Sequence, residues 1–536
     1  MRPNFTYVDM GLYIMALKNA EKIDQAITQQ RNEFVRLGLG FVFLAGIMLF
    51  VFLSFKGLQG GLVLSVAAVI GGYMAMNIGA NDVANNVGPA VGSKAMTLMW
   101  AIIIAAVFEG AGALLAGGEV VSTIKKGIID PSNITDPNTF IWLMVSALLA
   151  GAVWLNFATL IGAPVSTTHS IVGGVLGAGI AAGGFGIANW DKMGTIAASW
   201  VISPVLGGVI AASFQLFIKK KIIYRTDMLA AARRFVPVLI AFMVWAFSTY
   251  LALKGLKKIW KIDFQTAALF GLGCAVVFYV IVTPIIGRAS KKLKNSREGV
   301  NSLFTIPLIF AAALLSFAHG ANDVANAVGP LAAISDSITN AGISTKAAIP
   351  LWVMMIGALG IGLGLMLYGP KLIRTVGTEI TELDKSRAFC VAMAAAITVI
   401  VASQFGLPVS STHIAVGGIF GIGFLREYLK TSYASQLHKM LEQHEGEEKV
   451  RLQKFLENFQ GASIEEMEKM LKVAKKQKAE LGFKKSERKR LKKMYSEKLV
   501  KRSAFKKIIA AWIITVPASA SLAGGLFLML NGLPLG

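Results

Sequence analysis

The stretch Gly79-Ala80-Asn81-Asp82-Val83-Ala84-Asn85-Asn86-Val87-Gly88-Pro89 recurs almost letter for letter as Gly320-Ala321-Asn322-Asp323-Val324-Ala325-Asn326-Ala327-Val328-Gly329-Pro330. Each copy closes a long apolar run, so each carries a carboxylate and at least two amides into hydrocarbon or to its edge. A carboxylate is costly there, and its oxygens require a cation, a proton or a hydrogen-bond donor. A second signature follows each copy at nearly equal spacing: Ala163-Pro164-Val165-Ser166-Thr167-Thr168-His169, then Leu407-Pro408-Val409-Ser410-Ser411-Thr412-His413. Paired polar elements at matching places in two halves predict a duplicated unit.

Of 536 residues, 55% are apolar and 15% charged, and the mean hydropathy is +0.61. These values predict an all-α polytopic membrane protein and exclude a soluble fold. Fifty-five glycines suit helices packed backbone to backbone in lipid. Cys274 and Cys390 lie in separate apolar runs with no metal or disulfide spacing, and read as small core residues. Runs able to cross a bilayer, about 20 residues with few charges, fall near 37–55, 60–79, 97–117, 140–160, 196–216, 236–253, 265–286, 304–321, 347–368, 388–405 and 508–530. Two more apolar pieces, 165–182 and 409–425, begin at the Ser/Thr signatures, giving about 12–13 membrane segments in all. The apolar run near Leu37 starts too late and runs too long for a cleaved signal peptide. The expected division is a cytosolic leader over 1–36, an additional N-terminal span and loop over 37–59, a first repeat over 60–217 and connecting loops and spans over 218–302. A second repeat over 303–425, a basic cytosolic helical insert over 426–507 and a C-terminal span over 508–536 complete it.

Charge orients the spans. Lys219, Lys220, Lys221, Arg225, Arg233 and Arg234 mark one cytosolic loop, and Arg288, Lys291, Lys292, Lys294 and Arg297 another. If both signature pieces cross, Lys371 to Arg387 and the basic segment after Leu425 also fall in the cytosol; if they are shallow re-entrant loops, 426–507 lands outside. The first count is more consistent, with Lys254, Lys257, Lys258 and Lys261 as its one discordant outer loop. It runs the helix ending in Asn81-Asp82 inward and the helix ending in Asn322-Asp323 outward. The halves are then inverted repeats, with Pro-interrupted helices at a site near mid-membrane. About half of the net charge of +23 falls in 426–507, where Ser463-Ile464-Glu465-Glu466 has capping-box spacing. The run from Lys484 to Arg490 fits anionic headgroups or solvent better than nucleic acid.

Asp82 with Asn81 and Asn85, and Asp323 with Asn322 and Asn326, offer in duplicate the oxygen ligands that a hard cation such as sodium needs. Asn81 and Asn85 are four apart and share a helix face. A buried network that locks helices together is the plainer reading, but packing alone does not need the same carboxylate twice. In the second signature, proline removes an N–H and breaks a helix, and Gly162 or Gly406 ahead of it loosens the backbone. A helix starting there points its first N–H groups into the break. Ser166, Thr167 and Thr168, or Ser410, Ser411 and Thr412, add hydroxyl donors, making an oxyanion cradle without fixed charge. Simple N-capping is the alternative for these residue types. No Lys or Arg sits mid-span near the motifs, although Lys94 lies a few residues past the first. A multivalent anion held by dipoles and hydroxyls alone is undercompensated in low dielectric, so cations must bind with it.

Three of the five histidines, His169, His319 and His413, fall at or beside the motifs, without zinc spacing. His169 and His413 end the hydroxyl runs and read as second-shell orienters or helix-start donors. His319, where the first copy has Ile78, is as readily a packing residue. Glu109 stands alone among Gly and apolar residues and is suited to hold a cation or a proton; the matching place in the second half has Ile356 or Gly357. The absence of a Gly-x-Ser-x-Gly elbow and of a Ser-His-Asp set argues against an enzyme.

With both signatures in hand, the chain resembles the inorganic phosphate transporter family, often shortened to PiT, over most of 60–425 and the last span. The resemblance implies an inverted-repeat secondary transporter that moves orthophosphate with sodium or protons. It implies that Asn81, Asp82, Asn85, Asn322, Asp323 and Asn326 belong to the cation and phosphate site, and that Ser166, Thr167, Thr168, Ser410, Ser411 and Thr412 bind phosphate at the broken-helix tips. Glu109 matches a transport-relevant glutamate of the first repeat. Where some relatives carry a second glutamate before the second hydroxyl signature, this chain reads Cys390-Val391-Ala392-Met393. The leader with span 37–55 and the insert 426–507 look like additions. The expectation is an integral protein of the plasma (inner) membrane with its N-terminus and 426–507 in the cytosol, taking up phosphate by symport. It needs no cofactor beyond the co-transported sodium or proton and no nucleic acid, touches anionic lipid along 426–507, and is compatible with a homo-oligomer. Sulfate or another tetrahedral oxyanion is the alternative substrate; an anion channel or membrane receptor is the alternative class.

Overall fold

In hydrocarbon no water reaches the backbone, so an apolar run must satisfy its own N–H and C=O groups, and does so as a helix. The computed structural model describes residues 33–130, 136–160, 165–254, 262–340, 349–379, 383–430 and 502–533, with a few isolated positions between them. These residues are nearly all helical, with no strand among them beyond one isolated bridge between Ile129 and Ala188. In chain order the helices are α1 (Glu33–Ser54), α2 (Gly61–Asn81), α3 (Val83–Gly92), α4 (Leu98–Ala116), α5 (Gly118–Lys126), α6 (Pro137–Leu160), α7 (Thr167–Gly183) and α8 (Trp190–Ile218). There follow α9 (Met228–Lys254), α10 (Phe264–Lys291), α11 (Arg297–Leu303), α12 (Thr305–Asp323), α13 (Ala325–Thr339), α14 (Leu351–Glu379), α15 (Lys385–Gln404), α16 (Ser411–Lys430) and α17 (Arg502–Leu530). Among the described residues, eleven stretches are long and apolar enough to cross a membrane. They coincide with the eleven apolar runs of the sequence. The two signature pieces form α7 and α16, of 17 and 20 residues.

Some boundaries differ from the sequence reading. The first apolar helix begins at Glu33, inside the range assigned to the leader. The two helices expected to end at the Asn-Asp motifs instead carry their path through them, as Gly61–Gly92 and Thr305–Thr339. The interruptions at Asp82 and Val324 keep right-handed helical backbone angles. The chain continues because the polar side chains there meet partners on other helices, so no emergence into water is required. Residues 1–32, the segment Gly162-Ala163-Pro164, Lys257, Lys258 and Lys261, and the capping box and Lys484–Arg490 run of the insert all lie outside the described residues.

Each hydroxyl signature sits between two neighbouring helices. α15 ends at Gln404, Gly406 takes a left-handed φ of 63°, and α16 starts at Ser411, so Pro408 lies in the non-helical link. α6 packs on α7 and α15 on α16, and the first turn of α7 meets the second link. There Thr168 Oγ1 donates to the carbonyl of Val409 at 3.0 Å, and Trp200 Nε1 to that of Pro408 at 2.9 Å.

The helices also pack across the two halves: α2 lies on α14, α4 on α12, α7 on α17 and α8 on α16. Glycine makes these crossings close. A Cβ on Gly79 would run into the backbone carbonyl of Ile361, and one on Gly320 into that of Glu109. Likewise Gly177 abuts the backbone of Ala520, and Gly421 that of Gly208. Backbone cannot step aside as a side chain can. Gly320→Ala therefore destabilises the protein by about 1–3 kcal/mol, read as a lower Tm in detergent. Gly273→Ala, with nothing within 4 Å of its Cβ position, leaves Tm unchanged or slightly raised.

Candidate functional site

Both Asn-Asp motifs and both hydroxyl signatures converge in one buried cluster. Asp82 accepts hydrogen bonds from two hydroxyls, Thr167 Oγ1 on Oδ2 at 2.7 Å and Thr412 Oγ1 on Oδ1 at 3.2 Å. Asp323 accepts one from Ser411 at 3.2 Å. The amides reach across the halves. Asn85 Nδ2 donates to Thr412 at 2.8 Å, while Asn326 Nδ2 donates to Thr167 at 3.1 Å and Thr168 at 3.2 Å. The asparagine of each motif thus reaches the signature of the other half, while Asp82 holds a hydroxyl from both. All of these side chains are buried.

Ser166 and Ser410 do something else. Each caps the helix that follows, its Oγ accepting from the backbone N–H of His169 or His413 at 3.2 and 3.3 Å. The hydroxyls at the next two positions of each signature point instead at the carboxylates and amides. His169 and His413 present their rings, not their nitrogens. His169 lies 3.9 Å from Trp200 and 4.6 Å from His413 between ring centroids, and His413 stacks on Trp512 at 3.6 Å. Among the described residues the contacts of both rings are chiefly aromatic, which sets them behind the hydroxyl layer.

His319, which sequence alone left as a packing residue, bridges two acids. Its Nδ1 is 2.6 Å from Glu109 Oε2, and its Nε2 is 2.8 Å from Asp323 Oδ2, one helical turn on. Asn86 Nδ2 donates to the other Glu109 oxygen at 2.7 Å. A usable signal was present: His319 is four residues before Asp323 and so on the same helix face. The partnership with Glu109 was not visible, because it joins α12 to α4. This chain of contacts is one-sided, since Ile78 and Ala327 stand where the other copy has His319 and Asn86.

Ligand atoms of Asp82, His319 and Asp323 lie within 4.8 Å of one another. Among the described residues, Asp323 Oδ1, Asn322 Oδ1 and Asn326 Oδ1 are buried acceptors with no hydrogen-bond partner. Buried oxygens left in that state are costly unless something joins them, and oxygen ligands around two carboxylates suit a hard monovalent or divalent cation. Asn322 is held by its Nδ2, which donates to Ser403 Oγ at 3.0 Å and to the Leu407 carbonyl at 3.1 Å. Asn81 Nδ2 is a buried donor without a partner. Lys94 stands apart, exposed beyond α3. Cys390 is buried and donates to Gln215 Oε1 at 3.6 Å.

Residues 78–523 match the phosphate transporter family. A Helicobacter pylori protein named "Putative phosphate permease" is 51% identical over 96% of this chain and 99% of its own. It therefore shares much of the leader and insert as well. A Thermococcus kodakarensis protein of similar name is 40% identical over 68% of this chain and 89% of its own. A solved structure described as the sodium-dependent phosphate transporter superposes with a TM-score of 0.71 at 30% identity, covering 88% of this chain and 99% of that one.

Thr167 both donates to Asp82 and accepts from Asn326, so Thr167→Val strands a buried carboxylate oxygen and loosens a buried amide. The expected cost is about 1–3 kcal/mol, measured as a Tm drop of the purified protein. Thr195→Val, exposed and bonded within its own helix, is the control and stays within about 0.5 kcal/mol.

Proposed function

The chain belongs to the phosphate transporter family, and from that premise we propose that it is a secondary active transporter that takes up inorganic phosphate by symport with sodium or protons. The observation that carries this reading is Asp82, whose carboxylate holds a hydroxyl from each signature. A hydroxyl has one proton to donate. While Thr167 and Thr412 donate to Asp82, they are unavailable to an anion. A cation seated on the Asp82 and Asp323 oxygens competes for the same lone pairs and frees those hydroxyls to turn towards phosphate. Cation and anion then bind as a set, which is coupling in thermodynamic form. Neutralisation of the doubly charged anion in low dielectric asks for the same partners.

In this reading Asp82, Asp323, Asn81 and Asn322 serve the cation. Thr167, Thr168, Ser411 and Thr412 serve the phosphate together with Asn85 and Asn326, and Ser166 and Ser410 hold the helix starts that face it. The 2.6 Å contact between Glu109 and His319 is suited to hold a proton between two groups at membrane depth, which supports a role in coupling. Sodium is favoured by the buried carboxylate and amide oxygens of Asp323, Asn322 and Asn326 and by the sodium-dependent neighbour. The crosswise partners, Asn85 to Thr412 and Asn326 to Thr168, support a two-fold, inverted relation of the halves. The gathering of Lys219, Arg297, Arg387 and Arg426 at one end supports placing that end, and with it 426–507, in the cytosol of a plasma membrane.

Purified protein in liposomes tests the reading directly, with sodium and pH gradients imposed one at a time. Phosphate accumulates against its gradient when the coupling ion is supplied. Faster uptake of sulfate than of phosphate would defeat the substrate assignment, and gradient-independent flux would point to a channel. Asp82→Asn and Asp323→Asn keep size but remove charge; both abolish accumulation while the variants remain monodisperse and folded by circular dichroism.

A further inference from the structure

Basic loops that the sequence scatters along the chain meet in space at one end of the bundle. Lys219, in the π-helical turn Lys219–Ile223 that extends α8, has Arg387, Arg297 and Arg426 as charged neighbours. Asp384 is a carboxylate that acts on it in the opposite sense. That carboxylate is already engaged. It caps α15 by accepting from the Arg387 N–H at 3.0 Å and the Ser386 hydroxyl at 2.9 Å, and it pairs with the side chains of Arg297 at 3.2 Å and Arg387 at 3.5 Å.

Three of these cations are drawn partly out of water. The side chain of Arg387 is 12% exposed, and Lys219 and Arg426 are half-buried, while Arg297 is exposed at the rim. Like charges gathered at a bundle end and drawn partly out of water repel each other, and an anion with several acceptor oxygens relieves the repulsion. Ordinary membrane-flanking lysines need no such partner, because they extend into water one by one.

We propose that the ends of α8, α11, α15 and α16 form a binding site for a phosphate-class anion, the headgroup phosphate of an anionic lipid. Basic pockets between helix ends at a membrane interface are suited to such headgroups. The same helices also present lipid-facing apolar side chains, Val205 and Val209 of α8 and Phe424 of α16, against which acyl chains lie. The site is separate from the cluster around Asp82 and involves none of its side chains. Free inorganic phosphate offers the same chemistry, so the test separates the two sources.

The probes are phosphatidylglycerol titrated into phosphatidylcholine nanodiscs holding the full chain, read by native mass spectrometry, and inorganic phosphate titrated into the same discs by calorimetry. Lys219→Gln/Arg426→Gln lowers affinity for phosphatidylglycerol by about thirtyfold, with the number of inorganic phosphate sites unchanged. Lys219→Arg/Arg426→Lys keeps the charges and retains the affinity. If the glutamine variant folds poorly, added salt weakens lipid binding to the wild type in its place. Loss of a phosphate site with lipid affinity intact would overturn the lipid assignment in favour of the free anion. Unchanged binding of both would overturn the site.

Discussion

The Asp82 carboxylate is where the structure is most constrained. It lies buried inside an interrupted helical path, and a carboxylate there is tolerable only with donors at hand. Its donors come from Thr167 and Thr412, separated from it in sequence by 85 and 330 positions. To deliver both, the first turns of α7 and α16 must converge on the same carboxylate. Their helices must then lean on partners from the other half, and small residues at the crossings let them approach. The need of one oxygen pair thus propagates to the packing of the whole bundle.

The duplicated frame is not filled symmetrically. Asn85 and Asn326 make matching crosswise bonds, and Gly79 and Gly320 make matching close approaches. The bridge from Asn86 through Glu109 and His319 to Asp323 has no counterpart, because the other copy offers Ala327 and Ile78. The hydroxyl layer is therefore shared evenly between halves while the acid cluster leans to one side. Under the proposed symport, that division gives the anion a near-symmetric seat and the cations a one-sided one.

Charge is segregated along the same lines. The carboxylates of the site have hydroxyl, amide and imidazole neighbours, and none of the hydrogen-bond partners described for them is Lys or Arg. Cationic side chains gather instead where α8, α11, α15 and α16 end. A site left without fixed positive charge favours an anion only in company with mobile cations. A bundle end with surplus positive charge favours anions by itself.

Much was legible in the chain read alone, because lipid imposes local rules. The eleven apolar runs had to be helices, and two repeated carboxylates in apolar surroundings had to find polar partners, since neither conclusion depends on which helix neighbours which. The residues expected to converge, from Asn81 and Asp82 to Ser411 and Thr412, do lie together in one buried region. What sequence could not supply was partnership. Whether His319 packs or bridges Glu109, and whether the Asn-Asp motif ends a helix or interrupts one, depend on side chains arriving from distant segments. Helical periodicity tells which residues share a face; only tertiary packing decides what that face meets, because a buried polar group is defined by its partner and not by its neighbours in the chain.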